Sequence, residues 1–141
     1  MPNCVTPRGL AALRDERVRL EVERARAQGA GDAGALSALN ARLGELEARI
    51  GSAELVLPPV GTARATVRLG ATVVVERDDG SERRCRIVGV DEADAAAGRI
   101  AFTAPFARAL LGRQVGESMS LRTASGDETW SVRSIAYEDD G

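Results

Sequence analysis

The 141-residue chain contains no histidine, and this one absence removes Ser-His-Asp and Cys-His catalysis, histidine proton shuttles and histidine-bearing metal sites. Its two cysteines, Cys4 and Cys85, lie far apart and form no CxxC pair, so neither a zinc ribbon nor a dithiol redox motif is available. They are expected as free thiols of a reducing cytoplasm. What remains is carboxylate and guanidinium chemistry, from 21 acids and 19 basic residues with a net charge of −2. Every basic residue is arginine, which the composition of a GC-rich genome explains more simply than selection for phosphate or carboxylate binding. The slightly acidic balance argues against a free-standing nucleic-acid binder. Trp130, Tyr137, Phe102 and Phe106 are too few and too scattered for a base-stacking platform. Nucleic acid is expected to be met only through a protein partner.

The elements that must position these groups fall into two regions, with a boundary near Pro58-Pro59. Residues 1–57 are expected as an antiparallel helical hairpin and residues 58–141 as a small antiparallel sheet domain with a short helix, so the fold class is α+β. Thr6-Pro7 starts the first helix, because the hydroxyl can cap free N–H groups and proline tolerates the first helical position. Leu10, Leu13, Val18, Leu20 and Val22 give a broad apolar stripe, interrupted by Arg17 and Arg24. Gly29, Gly31 and Gly34 mark the turn, and Asp32 stands where a carboxylate can satisfy the N-terminus of the second helix. In that helix Leu36, Leu39, Leu43, Leu46, Ile50, Ala53 and Leu57 follow the alternating three-four spacing of a short coiled coil. Such a hairpin buries only one seam and should lean on the sheet domain.

In the second region residues 71–76 form a β-branched strand, Asp78-Asp79-Gly80 a hairpin turn, and residues 84–88 the return strand. A short strand over 98–102 precedes a brief helix from Phe106 to Leu111, closed by Gly112 in a left-handed cap. Strands over 118–123 and 129–137 follow, joined by a turn at 124–128. Strict alternation puts Trp130, Val132, Ser134 and Ala136 on one face of the last strand, and Ile135 and Tyr137 on the other. Glu138-Asp139-Asp140 is expected as a solvated tail. No segment reaches the roughly 18–20 apolar residues of a membrane span, and no secretory leader is visible, so a cytoplasmic protein with no membrane partner is expected.

Three blocks make the sheet domain specific: residues 69–73 (Leu-Gly-Ala-Thr-Val), 86–94 (Arg-Ile-Val-Gly-Val-Asp-Glu-Ala-Asp) and 104–117, which runs from Ala104-Pro105-Phe106 to Gly116-Glu117. With the opening Thr6-Pro7-Arg8-Gly9-Leu10 and the closing stretch from Trp130 to Tyr137, they resemble the Gre family of bacterial transcription elongation factors in order and spacing. The resemblance implies an FKBP-like C-terminal domain seated on the rim of the RNA polymerase secondary channel, with a coiled coil directed toward the active centre. In cleavage-competent members, two tip acids three residues apart help hold a second magnesium ion, and the polymerase itself hydrolyses backtracked RNA. Carboxylates at i and i+3 share one helical face and can clamp a hard cation.

This chain departs from that pattern at the tip. Asp32 follows Gly31 as the first acid should, but Ala35 stands where the second belongs, and no acid occurs between Asp32 and Glu45. Asp32 is therefore a vestigial tip candidate, better explained as a helix cap. Each arm also falls short of the cleavage factors by about two turns, roughly 10 Å, whereas metal–oxygen bonds are about 2–2.5 Å long. The shortened hairpin is similar as well to the branch described as regulators of nucleoside diphosphate kinase.

The expectation is thus a noncatalytic regulator that binds RNA polymerase, with no metal or cofactor of its own. The expected partner contacts come from block 104–117: Phe106 and Leu111 as apolar anchors, with Leu110, and Arg108 and Arg113 as ionic contacts. Leu110 and one of Phe106 or Leu111 are equally expected in the domain core. Three alternatives stand beside it: an active cleavage factor using Asp32 and an acid from elsewhere, a prolyl isomerase suggested by fold alone, and a regulator of a nucleotide-metabolising enzyme.

Overall fold

The computed structural model describes residues 3–57 and 59–137. Thr6 caps the first helix, α1 (Pro7–Gly29), its hydroxyl accepting the Gly9 N–H at 3.0 Å, and Pro7 occupies the first turn. Asp32 caps α2 (Ala33–Ser52) in the same way, Oδ1 accepting the Ala35 N–H at 3.1 Å. The two helices pack against each other across the tight turn at Gly31, whose φ of 69° suits glycine.

Two expectations for this hairpin need correction. In α1, Leu13 is buried and Leu10, Arg17, Leu20, Arg24 and Ala27 are half-buried, so the seam follows three-four spacing through both arginines. Val18 and Val22 face outward, at 55% and 48% exposure. Helical period outweighs hydrophobicity here: an arginine can lay its methylene stem in the seam while its head reaches water. The second helix stops at Ser52 rather than continuing to Leu57. Ala53 turns extended, and β2 (Ala53–Leu55) pairs in parallel with β1 (Asn3–Val5), Asn3 lying opposite Ala53 and Val5 opposite Leu55. Backbone pairing with a strand from outside the helix thus competes successfully with the heptad pattern.

The larger sheet runs β5-β4-β3-β7-β6, formed by β3 (Ala71–Arg77), β4 (Glu82–Val88), β5 (Arg99–Ala101), β6 (Ser118–Thr123) and β7 (Gly126–Tyr137). It is mixed rather than wholly antiparallel, because β5 returns beside β4 in the parallel sense through the loop at 89–98. The β6–β7 connection is tighter than expected: Thr123 pairs with Gly126, leaving only Ala124 and Ser125 in the loop. Helix α3 (Pro105–Leu110) covers one face, where Phe106 and Leu110 join Val73, Val75, Cys85, Ile87, Met119, Trp130 and Val132 in the core. Gly112 takes φ 86° just beyond α3, as the cap requires.

Strict alternation fails in β7. The register against β3 shifts between Val74 and Val75, so that Ser134 lies opposite Val74 and Val132 opposite Val75, with Arg133 the extra residue. A bulge of this kind flips the faces. Trp130 and Val132 point into the core, and beyond the bulge Ile135 and Tyr137 also pack against it, while Ser134 and Ala136 are exposed. The Tyr137 hydroxyl donates to the Thr66 carbonyl and accepts the Arg68 N–H at 2.9 Å. Burial pushes its pKa up, an effect partly opposed by Arg68. Pro58 and the acidic segment at 138–140 lie outside the described residues, and no helix among the described residues is long and apolar enough to cross a membrane.

Candidate functional site

At the hairpin tip the only carboxylate is that of Asp32, and its Oδ1 is occupied by the Ala35 N–H. Ala35 sits three residues on, the position from which a second acid would share a cation. Among the described residues no three acidic or thiol side chains come together as a metal site. Further down the hairpin, at an exposed site, Arg42 donates to Glu16 at 2.9 Å and to Glu45 at 3.2 Å. Glu16, then Glu45, raises the pKa of Arg42. Such exposed pairs contribute only a few tenths of a kcal/mol, roughly 0.2–1 each.

The block from Ala104 to Glu117 divides into core and surface. Phe106 is only 7% exposed: its ring stands edge-on to Trp130 with centroids 5.7 Å apart, and the Arg83 guanidinium covers it at 4.3 Å. It is therefore not available as a surface anchor, because an aromatic at the first turn of α3 points down onto the sheet. Leu110 is fully buried. Leu111 is half-buried against the core, Arg108 is exposed, and Arg113 is held by its Nε donating to the Ala109 carbonyl at 3.3 Å. Backbone bonds from Val67 N–H to the Arg113 carbonyl and from Gly112 N–H to the Val67 carbonyl staple this turn to the sheet domain. Val115 adds an exposed apolar side chain, 56% accessible, beside the turn. Nothing in the spacing of the sequence marks Val115 as a surface residue.

The second functional feature, which residue types alone did not reveal, is the junction between hairpin and sheet. The turn Val90–Glu92 offers two adjacent carboxylates. Glu92 receives the Thr6 hydroxyl at 2.7 and 2.9 Å on its two oxygens, which holds the start of α1. Asp91 lies 3.6 Å from Arg49, which holds the end of α2. Arg99 steadies the turn from the other side, donating to the Glu92 carbonyl at 3.0 Å and to Asp94 at 3.5 Å. Close backbone approach completes the joint: a Cβ on Gly89 would lie 2.5 Å from the Cys4 carbonyl oxygen. The sequence block at 86–94 thus acts as a clasp for both arms, and its signal was the pair of adjacent acids beside a glycine.

Residues 62–137 match the family model described as "Transcription elongation factor, GreA/GreB, C-term". A transcription elongation factor GreA of Methylobacterium sp. (strain 4-46) is 35% identical over 153 aligned positions, which cover 94% of this chain and 96% of that protein. A transcription elongation factor GreB of Neisseria meningitidis serogroup B is 33% identical over 154 positions, 96% of this chain and 94% of that one. Both alignments are longer than the 141-residue chain, so they contain positions that the relatives fill and this chain lacks. The crystal structure of GreA factor homolog 1 of Thermus thermophilus covers 96% of this chain and 99% of that chain at 22% identity, with a TM-score of 0.47.

Proposed function

Since the chain belongs to the GreA/GreB family of transcription elongation factors, we propose that it binds RNA polymerase at the secondary channel and regulates elongation without stimulating transcript cleavage. The helical hairpin of α1 and α2 is the short coiled coil that enters the channel, and the sheet domain that follows it is an FKBP-like domain that sits on its rim. Rim contact comes from the surface of the 104–117 block: Arg108 and Arg113 supply guanidiniums, and Leu111 an apolar edge. Phe106 acts from below, fixing α3 through its contacts with Trp130 and Arg83.

The observation that carries this reading is the state of the tip. A cleavage factor must bring two carboxylates to a cation, whereas here Asp32 is engaged as a helix cap and Ala35 has no ligand to offer. The shorter arms read from the sequence point the same way. A single oxygen held short of the metal by about 10 Å contributes nothing to its coordination.

The deciding experiment uses purified core polymerase in stalled, backtracked complexes. The expected result is salt-sensitive binding of the chain, no acceleration of RNA cleavage, and inhibition of an active cleavage factor added in competition. Stimulated cleavage that disappears in Asp32→Ala would replace this reading with that of an active cleavage factor. Absence of polymerase binding would remove it altogether.

A further inference from the structure

Two core aromatics each carry an arginine, and only one of those arginines has a carboxylate. Phe106 and Trp130 meet edge to face, with the Arg77 guanidinium 5.5 Å from the Trp130 ring centroid and that of Arg83 4.3 Å from the Phe106 centroid. The strand register accounts for both: Arg77 of β3 lies opposite Trp130 of β7, and Arg83 of β4 lies opposite Val75 of β3. Alternation then places Arg77 in line with Val73 and Val75, and Arg83 in line with Cys85 and Ile87, on the face that α3 covers. For Arg77 the cluster is complete within the chain. Glu128 lies 4.0 Å from its guanidinium and accepts the Trp130 indole N–H at 3.2 Å.

Arg83 has the aromatic but not the acid. Among the described residues no carboxylate pairs with it and no acceptor takes its N–H groups. The acids of its own hairpin do not serve it. Glu76 is paired with Arg133 at 3.2 Å, and Glu82 lies opposite Glu76 on the other face of the sheet. Asp79 accepts the Ser81 N–H at 2.9 Å, and Asp78 stands exposed in the turn. A guanidinium laid against a ring is held in place yet keeps its edge of N–H donors for a second partner, which makes it a preorganised fork for a carboxylate.

We propose that Arg83 is a polymerase-contact residue that receives a carboxylate of the channel rim beside α3. The inference rests on the reading of the chain as a polymerase-binding regulator, and it extends the contact surface from the 104–117 block to the β3–β4 hairpin. The ring that holds Arg83 belongs to the same six-residue helix as Arg108, whose exposed guanidinium likewise has no carboxylate among the described residues. Arg83 against the inner side of α3 and Arg108 on its outer side thus fit an acidic protein surface. Tracking a phosphate backbone takes a longer basic stripe, which a chain of net charge −2 does not favour.

The test measures capture of core polymerase free of nucleic acid, with the melting temperature as the check on fold. Arg83→Gln is expected to weaken capture about tenfold, and Arg83→Lys, which keeps the charge without the fork, by less. Arg77→Gln removes the matching arginine over Trp130, whose carboxylate is internal. It is expected to lower the melting temperature at least as much as Arg83→Gln while leaving capture unchanged. Capture indifferent to Arg83→Gln, or weakened equally by Arg77→Gln, overturns the proposal. A loss confined to complexes that carry RNA assigns the contact to phosphate and overturns it as well. Failure of the parent chain itself to bind core polymerase removes the regulator reading and the proposal together, whereas the variant results bear on Arg83 alone.

Discussion

The hydroxyl of Thr6 donates to the carboxylate of Glu92, 2.7 and 2.9 Å from its two oxygens, while accepting the N–H of Gly9. One side chain thus caps a helix and joins it to a loop 86 residues away in sequence. Thr6 is 2% exposed and its bond to Gly9 is buried, while Glu92 is only half-buried. Thr6→Val, which keeps the shape and removes the oxygen, is expected to lower stability by about 2 kcal/mol. Glu92→Gln, which keeps an acceptor, should cost less. A double-mutant cycle in urea should return a coupling of about 0.5 kcal/mol or more, because the two groups share one network. Additive effects would dismiss the clasp.

Glycine substitutions separate close approach from mere flexibility. A Cβ on Gly89 would stand 2.5 Å from the Cys4 carbonyl oxygen, and one on Gly9 2.0 Å from Glu92 Oε1. Gly89→Ala should destabilise by displacing β1, and Gly9→Ala by driving Glu92 off Thr6. Gly44, within α2 with open space around it, should respond oppositely: Gly44→Ala is expected to stabilise by about 0.5–1 kcal/mol. Melting temperatures of the three variants report the sign of each effect.

At the tip, Asp32→Ala removes a cap and is expected to cost about 1 kcal/mol, whereas Asp32→Asn, an equally good cap, should be close to neutral. Neither change should alter RNA cleavage in backtracked complexes. Helicity by circular dichroism and a cleavage gel give the two readouts.

The two thiols should behave differently. Cys85 is 2% exposed, and burial raises its pKa, opposed only in part by Arg83. Cys4, half-buried, should react with a thiol reagent in the native state, and Cys85 only when the sheet domain opens. A folded pKa above the unfolded one means that the contribution to stability is complete below the unfolded thiol pKa of about 8.5 and is lost as pH rises through the folded value. Tyr137 shifts in the same direction and extends the loss to higher pH. Alkaline denaturation midpoints should flatten in Cys85→Ala.

Phe106 and Arg108, two residues apart, should divide stability from binding. Phe106→Ala empties a core position between Trp130 and Arg83 and is expected to cost about 3–5 kcal/mol. Arg108→Ala, fully at the surface, should stay within about 0.5 kcal/mol while weakening polymerase capture.

Local rules made much of this legible. Thr6-Pro7, Asp32, Gly112 and the β-branched run at Ala71 each act through their nearest neighbours, and the structure places them as the sequence suggests. The misses have a common physical origin. Arg17 and Arg24 lie in the seam because period, not hydrophobicity, determines which face meets α2. Arg133 flips the end of β7 because a bulge is a property of two strands together. The β1–β2 pair and the Thr6–Glu92 bond join residues distant in sequence, so no window along the chain contains both partners. For the candidate site, Asp32 was readable because cap and missing acid are both local, whereas the burial of Phe106 depends on Trp130 and Arg83.

The parallel pairing of Asn3–Val5 with Ala53–Leu55 closes the hairpin into a loop whose two ends are fixed in register. Residues added to one arm alone would slide the facing seams past each other or break the strand pair. Reach can therefore change only by matched insertions or deletions in both arms, in whole helical turns. The hairpin is in this sense a telescoping module, and shortening it leaves the joint to the sheet untouched.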